Sequence, residues 1–400
     1  MIKSFIQLMS SSIIAPILAF IYTTMLVKVL TIDEYAIYAY STNVFAMLYP
    51  ALSCGFAVSI RSLAGESNQD SSEREILSSG LIYVFLKSFI LLLVALVFIE
   101  YVAKVDARPY MLTFSWVVFI NACNVVLDNY LQGANEIKLL SIYRLLQKLL
   151  PLTLLFIFSL DWIRFGLTEA LLTYYVSSLI CLFITLYFLR KNINIRDGIV
   201  AFKNLTNRVY TFGFNIYLGS VVSLISLYIA PIIVGQLSSS TTELGLYMLA
   251  TALTAPLMVV PQVLSTIYYR NFVSLKFLER KVIVGLLLMS LIALVICNLC
   301  TPLIVYFFGQ DYKGAIPIFR VLSLFYIING LNLFLDRFFN ATGDAITVRN
   351  SSVLSGVLLI LLYVMLIVMN YNQGVEYALL ISSFFGLILK IKGYYINYEK

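Results

Sequence analysis

The residues that could do chemistry in this chain are a few charged side chains set within long apolar segments. The chain has no histidine, which removes the most usual general base and the commonest metal ligand. It has no GxxxxGK phosphate-binding loop, and its carboxylates are scattered, with no pair at metal-ligand spacing. We therefore expect neither an enzyme nor a protein that holds a metal or another cofactor. Recognition of a charged ligand by single buried charges is the chemistry that remains.

The clearest of these charges is Lys87, in the middle of the apolar segment Ser78–Ile99. About ten residues, or ~15 Å of helix, separate it from the nearer end of the segment. Placing its ammonium in hydrocarbon would cost several kcal/mol, so the side chain should face a wet interior or pair with an acid. Two interpretations stay open: Lys87 lines a cavity, or it forms a buried structural pair with Asp128.

Three arginines are further candidates. Arg61 and Arg270 end two apolar segments in the same register of an internal repeat. As a pair of guanidiniums at the inner opening of a cavity, they would suit bidentate phosphate binding. Each alone would be an ordinary basic anchor at the membrane surface. Arg320 lies within a later apolar segment and is a second candidate for a cavity wall.

Two acidic residues, Asp128 and Asp336, occupy equivalent places in the repeat, near one end of an apolar segment. They could carry protons or sodium ions, which would couple transport to an ion gradient. They could instead brace basic neighbours such as Arg337. Bracing is the simpler interpretation, because it needs no ion pathway.

The composition defines the elements that must hold these charges. Of 400 residues, 61% are hydrophobic and 12% are charged, about half of the ~25% charged residues in a soluble domain. The apolar residues fall in blocks of about 20, the length of a helix that crosses a ~30 Å hydrocarbon core. The sequence therefore predicts an all-α polytopic membrane protein with about twelve transmembrane helices. The predicted segments are Ser10–Val29, Ala36–Ile60, Ser78–Ile99, Tyr110–Leu131, Ile142–Leu160, Leu167–Leu189, Val209–Val234, Leu244–Ile267, Val282–Cys300, Ile316–Leu335, Val353–Met369 and Val375–Ile391.

The basic residues between these segments predict the orientation. If the N-terminus lies in the cytoplasm, most lysines and arginines fall on the cytoplasmic side, as the positive-inside rule requires. Both termini are then cytoplasmic. The net charge of +7 reflects this topology and contact with anionic membrane lipids, and nucleic-acid binding is a poor interpretation of it.

Two motifs occur twice. TIDEYAIYAY (Thr31–Tyr40) aligns with STTELGLYML (Ser240–Leu249), and LDNYLQGANE (Leu127–Glu136) aligns with LDRFFNATGD (Leu335–Asp344). Each copy of the first motif should begin a helix, with its carboxylate at the positive end of the helix dipole and its aligned tyrosine, Tyr38 or Tyr247, at the membrane interface. We predict two six-helix bundles, residues 1–200 and 201–400, related as parallel repeats with a site between them.

Three stretches carry a resemblance to a known family. They are DEYAIYA after the first segment, GFNIYLGSVVSLISLYIAPIIVGQLSSSTTELGLYMLATAL across the seventh and eighth, and FGQDYKGAIPIFRVLSLFYIINGLNLFLDRFFNATGD around the tenth. The chain resembles the Wzx-type O-antigen flippases of the multidrug/oligosaccharidyl-lipid/polysaccharide (MOP) exporter superfamily. The resemblance covers nearly the whole chain, and its motifs are diffuse. The stretch IYYRNF after the eighth segment departs from the proline that such families often carry there.

The resemblance implies two six-helix bundles around a cationic cavity in a bacterial cytoplasmic membrane. It also implies alternating access and movement of an undecaprenyl-diphosphate-linked oligosaccharide from the inner to the outer leaflet. Lys87, Arg61 and Arg270 fit that cavity by type and depth. The implied partners are the lipid-linked oligosaccharide, membrane lipids, and a polysaccharide polymerase with its chain-length regulator.

Other classes stay open. A drug or cation exporter of the same superfamily should carry acidic residues deep in its cavity, whereas the clear mid-segment charge here is a lysine. A membrane polysaccharide polymerase or glycosyltransferase should have a large outer loop, and the predicted outer loops are short. A non-transporting scaffold of a polysaccharide assembly complex would not need charged interiors in duplicated halves.

Overall fold

The structure, a computed structural model, is helical in every part that it describes. The described residues are 2–52, 55–66, 70–134, 136–158, 165–190, 193–238, 240–275, 277–342, 344–369 and 374–398. Each of the twelve predicted segments falls on helix within these ranges. The prediction of an all-α polytopic membrane protein is therefore confirmed.

Within the described ranges, eight helices are long and apolar enough to cross a membrane. A ninth follows if the bent pair Val105–Thr113 and Val117–Gly133, which turns by 70°, is counted as one span. Ile14–Val29 and Tyr228–Leu237 are shorter apolar stretches at the ends of longer helices, and they overlap the first and seventh predicted segments. The protein is a multi-pass membrane protein.

The chain divides into two compact units, residues 1–224 and 225–400. The predicted division into residues 1–200 and 201–400 stays a prediction, and residues 201–208 belong to a helix that packs on the first unit. The helices of unit 1 are α1 (Ile2–Val29), α2 (Ile32–Leu52), α3 (Phe56–Glu66), α4 (Asp70–Tyr101), α5 (Arg108–Thr113), α6 (Val117–Gly133), α7 (Ile137–Phe158), α8 (Leu167–Leu189) and α9 (Ile195–Arg208).

Helix α6 is the centre of unit 1. It packs against α2, α3, α4, α7 and α8, and α1 lies along α7. Most of the residues of α6 are buried, including Val117, Val126, Leu127 and Leu131. A residue on α6 is thus held by neighbours on several sides.

Helix α10 (Phe214–Leu237) runs across the boundary between the units, and unit 2 contains the rest. Its central helix is α15, which packs against α11, α12, α13, α16 and α17. An aromatic cluster that includes Phe272, Phe334, Phe338 and Phe339 fills the core beside it. The helices of unit 2 are α11 (Thr241–Thr254), α12 (Val259–Leu275), α13 (Arg280–Leu299), α14 (Pro302–Phe308), α15 (Ala315–Thr342), α16 (Ala345–Val368) and α17 (Val375–Tyr398).

The first of the two repeated motifs, Thr31–Tyr40 and Ser240–Leu249, caps a helix in both units. The Glu34 carboxylate accepts from the backbone N–H of Thr31 at 3.0 Å, and the Thr31 hydroxyl accepts from the Glu34 N–H at 3.3 Å. In the second copy the Ser240 hydroxyl accepts from the Glu243 N–H at 3.4 Å. These are capping-box contacts, which satisfy N–H groups that the first turn of a helix leaves unpaired.

The tyrosines of the same motif are buried in the protein. Tyr38 and Tyr247 both have little exposed surface, and the Tyr38 hydroxyl lies 3.0 Å from that of Tyr22. Each ring lies on the face of its helix that packs inside its unit, and the expected depth at the membrane interface stays a prediction. A tyrosine tolerates this position when its hydroxyl finds a partner.

The segment Ala36–Ile60, predicted as one span, is broken into α2 and α3. The break contains Gly55, whose φ of +84° is a left-handed conformation that other residues rarely adopt. Its backbone meets that of Gly213, and a Cβ on either glycine would overlap the other's backbone. The break is fixed by this glycine-to-glycine contact, which sequence periodicity does not reveal.

The basic stretch between the sixth and seventh predicted segments contains the helix α9 (Ile195–Arg208). It packs along α4, where the Asn194 N–H donates to the Ser78 hydroxyl at 2.8 Å. A Cβ on Gly198 would lie 2.6 Å from that of Ser78, so the two helices approach closely. A π-helical segment, Val209–Gly213, continues α9 into α10.

Candidate functional site

The candidate site is built on α4, the long helix that carries Lys87. The apolar part of α4 that can span the membrane is Glu75–Tyr101. Lys87 is twelve residues from Glu75, or ~18 Å along the helix axis. Its ammonium is therefore carried near the middle of the span.

The side of α4 on which Lys87 lies is not the lipid-facing side. Phe85 and Phe89 are 70% and 68% exposed and mark the face toward lipid. At about 100° per residue, Lys87 lies ~160° around the helix from each of them. Four residues along, on the same stripe as Lys87, Leu91 is buried. The half-buried lysine thus lies on the flank of α4 that turns toward the interior of unit 1.

An aromatic stack holds the ammonium of Lys87. Its Nζ lies 5.2 Å from the centre of the Tyr83 ring, one turn earlier on α4. The Tyr83 ring stacks on Phe56, with centroids 3.6 Å apart and planes 10° from parallel. Phe202 of α9 also approaches Tyr83, at 6.2 Å between centroids. A cation over a ring is stabilised by roughly 0.5–2 kcal/mol, more where water is excluded.

Phe56 is in place because of the break before it. It is the first residue of α3, directly after the left-handed Gly55, and is fully buried. The glycine contact that fixes the break therefore also fixes the ring on which Tyr83 rests. Sequence reasoning found Lys87 but missed Tyr83 and Phe56. The spacing of Tyr83 and Lys87, four residues apart on a helix, was the available signal.

The alternative pairing of Lys87 with Asp128 is not formed. Asp128, on the central helix α6, pairs with Arg144 of α7 through two contacts, Nε–Oδ1 at 3.0 Å and Nη2–Oδ2 at 3.3 Å. Gln132, one turn further along α6, donates to the same carboxylate at 2.5 Å. Lys87 takes part in none of the ion pairs among the described residues. Its positive charge is available to an anion.

Asp336 has a more deeply buried partner. Lys390 Nζ of α17 lies 2.8 Å from Asp336 Oδ1 of α15, and the two side chains are 5% and 15% exposed. Lys390 also donates to the Asn332 carbonyl at 3.4 Å, and the Asn332 amide donates to the Ser383 carbonyl at 2.9 Å. The neighbour expected to be braced, Arg337, is exposed and is not the partner.

The two aspartates are alike in place and unlike in partner. Each lies on the central helix of its unit and each binds a cation on another helix. The cation of Asp128 comes from the next helix, α7, whereas that of Asp336 comes from α17, two helices later. The helix that supplies the neutralising cation therefore differs between the two units. Whether either acid carries an ion or only braces its partner stays a prediction.

Of the three candidate arginines, the structure describes the side chains of Arg61 and Arg320. Arg61 is half-buried on α3, whose backbone at this point touches α6 so closely that a Cβ on Gly133 would overlap the Arg61 carbonyl. Arg270 lies in α12, and its side chain is outside the described part. Arg320, in the second turn of α15, has an exposed side chain in unit 2. Their role in binding stays a prediction.

Comparison with solved structures defines the class of fold. An inward-facing multidrug resistance MATE family transporter of the MOP superfamily matches with a TM-score of 0.70 and 15% identity, covering 98% of this chain and 96% of that chain. An outward-facing MATE family transporter matches with a TM-score of 0.69 and 17% identity, covering 98% and 94%. A MOP superfamily transporter from Pyrococcus furiosus gives 0.66 and 16%, covering 98% and 95%. The chain has the fold of the MATE transporters.

The sequence also matches a particular protein family. Residues 1–270 match the family described as "Polysaccharide biosynthesis protein", and the chain belongs to this family. A search of curated protein sequences found no match. The expected resemblance to polysaccharide-related members of the superfamily is confirmed at the level of family and fold.

Proposed function

We propose that this protein moves an undecaprenyl-diphosphate-linked oligosaccharide across a bacterial cytoplasmic membrane, by alternating access. The repeat unit is of the O-antigen type or belongs to another surface polysaccharide. One observation carries the proposal: a member of a polysaccharide family with a MATE-type fold holds a lysine without an acidic partner, among its described residues, at mid-membrane depth.

The substrate explains the need for such a lysine. A lipid diphosphate is negatively charged and its sugars are hydrated, so neither enters hydrocarbon without a large loss of solvation. A fixed ammonium compensates part of that loss through charge-assisted hydrogen bonds to phosphate oxygens. The Tyr83 ring holds the ammonium and leaves its positive charge intact. A carboxylate in the same place would neutralise that charge. Arg61, Arg270 and Arg320 are proposed as additional contacts for the anionic head group.

The acids fit a supporting role in this proposal. Asp128 and Asp336 each pair with a cation within one unit, so neither carboxylate competes with the substrate's phosphates for Lys87. If transport is coupled to a gradient, proton or sodium movement through one of these acids is the proposed route. No cofactor is needed in either case.

The proposed setting follows from the polysaccharide family. Both termini face the cytoplasm, and the substrate enters from the cytoplasmic leaflet where lipid-linked units are assembled. The proposed partners are membrane lipids, the polysaccharide polymerase and its chain-length regulator, and no nucleic acid is involved.

A deletion strain tests this function against its competitors. Loss of the protein should abolish surface polysaccharide and leave complete lipid-linked repeat units on the cytoplasmic side. If it were a polymerase or glycosyltransferase, single units would reach the surface unpolymerised, or incomplete units would accumulate. If it were a drug or cation exporter, surface polysaccharide would be normal and drug sensitivity would rise. Either result would overturn the proposal.

A further inference from the structure

A groove on the lipid-facing side of unit 2 has the features of a lipid site. It has a volume of about 520 Å³ and lies among three helices. Leu331, Phe334 and Leu335 of α15 form its floor, Ile283 and Leu287 belong to the α13 wall, and the α17 residues that line the opposite wall are Leu387, Ile391, Tyr394 and Tyr395.

The floor of the groove is preformed. Phe334 is 1% exposed and belongs to the aromatic cluster of unit 2. Tyr394 is fixed at one end, since its hydroxyl accepts from the Leu278 N–H at 3.1 Å and its ring meets Phe338 edge-on at 5.5 Å. A ligand would therefore enter a shape that already exists, without having to order the protein first.

The outer wall faces the bilayer. Leu287 and Leu288 of α13 are 51% and 54% exposed, and Leu287 alone of the two lines the groove. The lining is apolar apart from its end, so the natural occupant of the interior is a hydrocarbon chain. From Arg280 to Leu287 the groove follows seven residues of α13, or ~10 Å, which lies within one leaflet of a ~30 Å hydrocarbon core.

Cations lie at one end of the groove only. Arg280 lines this end, Lys281 follows it, and both are exposed. Neither side chain takes part in an ion pair or hydrogen bond among the described residues. Lys392 is exposed next to the lining residue Ile391, and Glu279 is the opposing acid. The end is thus net positive, with tyrosines at the depth where membrane proteins carry them.

We infer that this groove binds one anionic phospholipid, with its phosphate at Arg280 and Lys281 and one acyl chain along α15. The order of cation, tyrosine and apolar floor matches the order of phosphate, glycerol region and chain in such a lipid. A groove one leaflet deep suits a phospholipid better than a much longer polyprenyl chain. Under the topology proposed above, this lipid belongs to the cytoplasmic leaflet. The site does not depend on what the protein transports.

Lipid binding to the purified full chain, measured by native mass spectrometry, tests the inference with phosphatidylglycerol and phosphatidylcholine as probes. We expect phosphatidylglycerol to bind more tightly, and Arg280→Ala and Lys281→Ala each to weaken it about fivefold. Leu287→Trp should fill the groove and abolish retention of the lipid. Leu288→Trp on the same helix, and Arg349→Ala at an exposed site of α16, should bind as the wild type does.

The outcomes are distinct. Equal binding of the two phospholipids, or equal behaviour of Leu287→Trp and Leu288→Trp, would overturn the site. Retention of a polyprenyl phosphate in place of phosphatidylglycerol would overturn the choice of ligand. Thermal unfolding of each variant separates loss of binding from loss of fold. Arg280→Ala changes an exposed side chain, so its result stands even if Leu287→Trp unfolds.

Discussion

The ammonium nitrogen of Lys87 lies 5.2 Å from the centre of the Tyr83 ring, and that ring is stacked on Phe56 with 3.6 Å between centroids. The three residues come from two helices, α3 and α4, and Phe56 directly follows the break at Gly55. A positive charge is thereby held near the middle of the apolar helix Glu75–Tyr101 by a neutral group. An anion can bind it without first displacing a carboxylate.

Removing the ring under the ammonium should weaken transport. In Tyr83→Leu the lysine loses a contact of roughly 0.5–2 kcal/mol, so we expect a 2- to 30-fold lower rate at limiting substrate. Tyr83→Phe keeps the π face and should retain most activity. The measurement is surface polysaccharide in a complemented deletion strain. Tyr101→Leu, at the exposed end of the same helix, is the control. Equal loss in the Leu and Phe variants would assign the effect to the hydroxyl and contradict this account.

Breaking the buried pair of unit 2 should destabilise the protein. Asp336→Asn leaves Lys390 charged and buried without its partner, which costs roughly 3–5 kcal/mol. The double variant Asp336→Asn with Lys390→Met removes both charges and should recover much of that loss. Thermal unfolding in detergent measures both, and Asp311→Asn at an exposed position is the control.

The double variant also separates the two roles of Asp336. If the acid only braces Lys390, the double variant should transport normally. If it recovers stability and remains inactive, the Asp336–Lys390 pair has a role in transport beyond stability, which contradicts bracing alone.

A methyl group at the glycine contact should be poorly tolerated. In Gly213→Ala the new Cβ would overlap the Ser59 hydroxyl and lie 2.5 Å from the Gly55 carbonyl, and backbone cannot move aside cheaply. We expect a loss of ~1–3 kcal/mol or more, with lower yield in the membrane. Gly285→Ala, a helical glycine with no atom within 4 Å of the added Cβ, should express and unfold as the wild type does. Matching behaviour of the two variants would contradict the close contact.

Each of the eight described helices that are long and apolar enough to cross a membrane lies on a predicted apolar block, because such a block must satisfy its backbone groups within the membrane. Three features escaped. One is the 70° bend between Val105–Thr113 and Val117–Gly133, inside the block predicted as the single span Tyr110–Leu131. The break at Gly55 depends on a backbone contact with Gly213, far along the chain, so no local pattern marks it. Helix α9 is too polar to register as a span, and its helical periodicity was hidden in a basic stretch between Arg190 and Arg208.

The ion pairs were partly predictable. Asp128 and Arg144 lie at similar distances on either side of the turn between α6 and α7, so an antiparallel hairpin brings them together. Asp336 and Lys390 are separated by all of α16, and their meeting depends on how α17 packs on α15. Lys87 was identified from its position in the middle of an apolar segment. Its contact with Tyr83 and the stacking of Tyr83 on Phe56 could not be predicted without the fold.

Energy coupling can be tested on the wild-type protein. We expect collapse of the proton or sodium gradient to stop translocation in membrane vesicles, because net movement then has no driving force. A proton ionophore and a sodium ionophore, added separately, identify the ion. Unchanged translocation with both would contradict coupling and leave facilitated diffusion, drawn forward by polymerisation outside.

The most direct measurement is flipping of an undecaprenyl-diphosphate-linked oligosaccharide in liposomes that contain the purified protein. The fraction of sugar open to an impermeant reagent is followed with time for wild type, Lys87→Ala, Lys87→Arg and the exposed-site control Lys138→Ala. Loss of a charged hydrogen bond of about 1.5–3 kcal/mol predicts 10- to 100-fold slower flipping for Lys87→Ala, partial activity for Lys87→Arg and no change for Lys138→Ala. Flipping by Lys87→Ala at the wild-type rate would contradict the central claim.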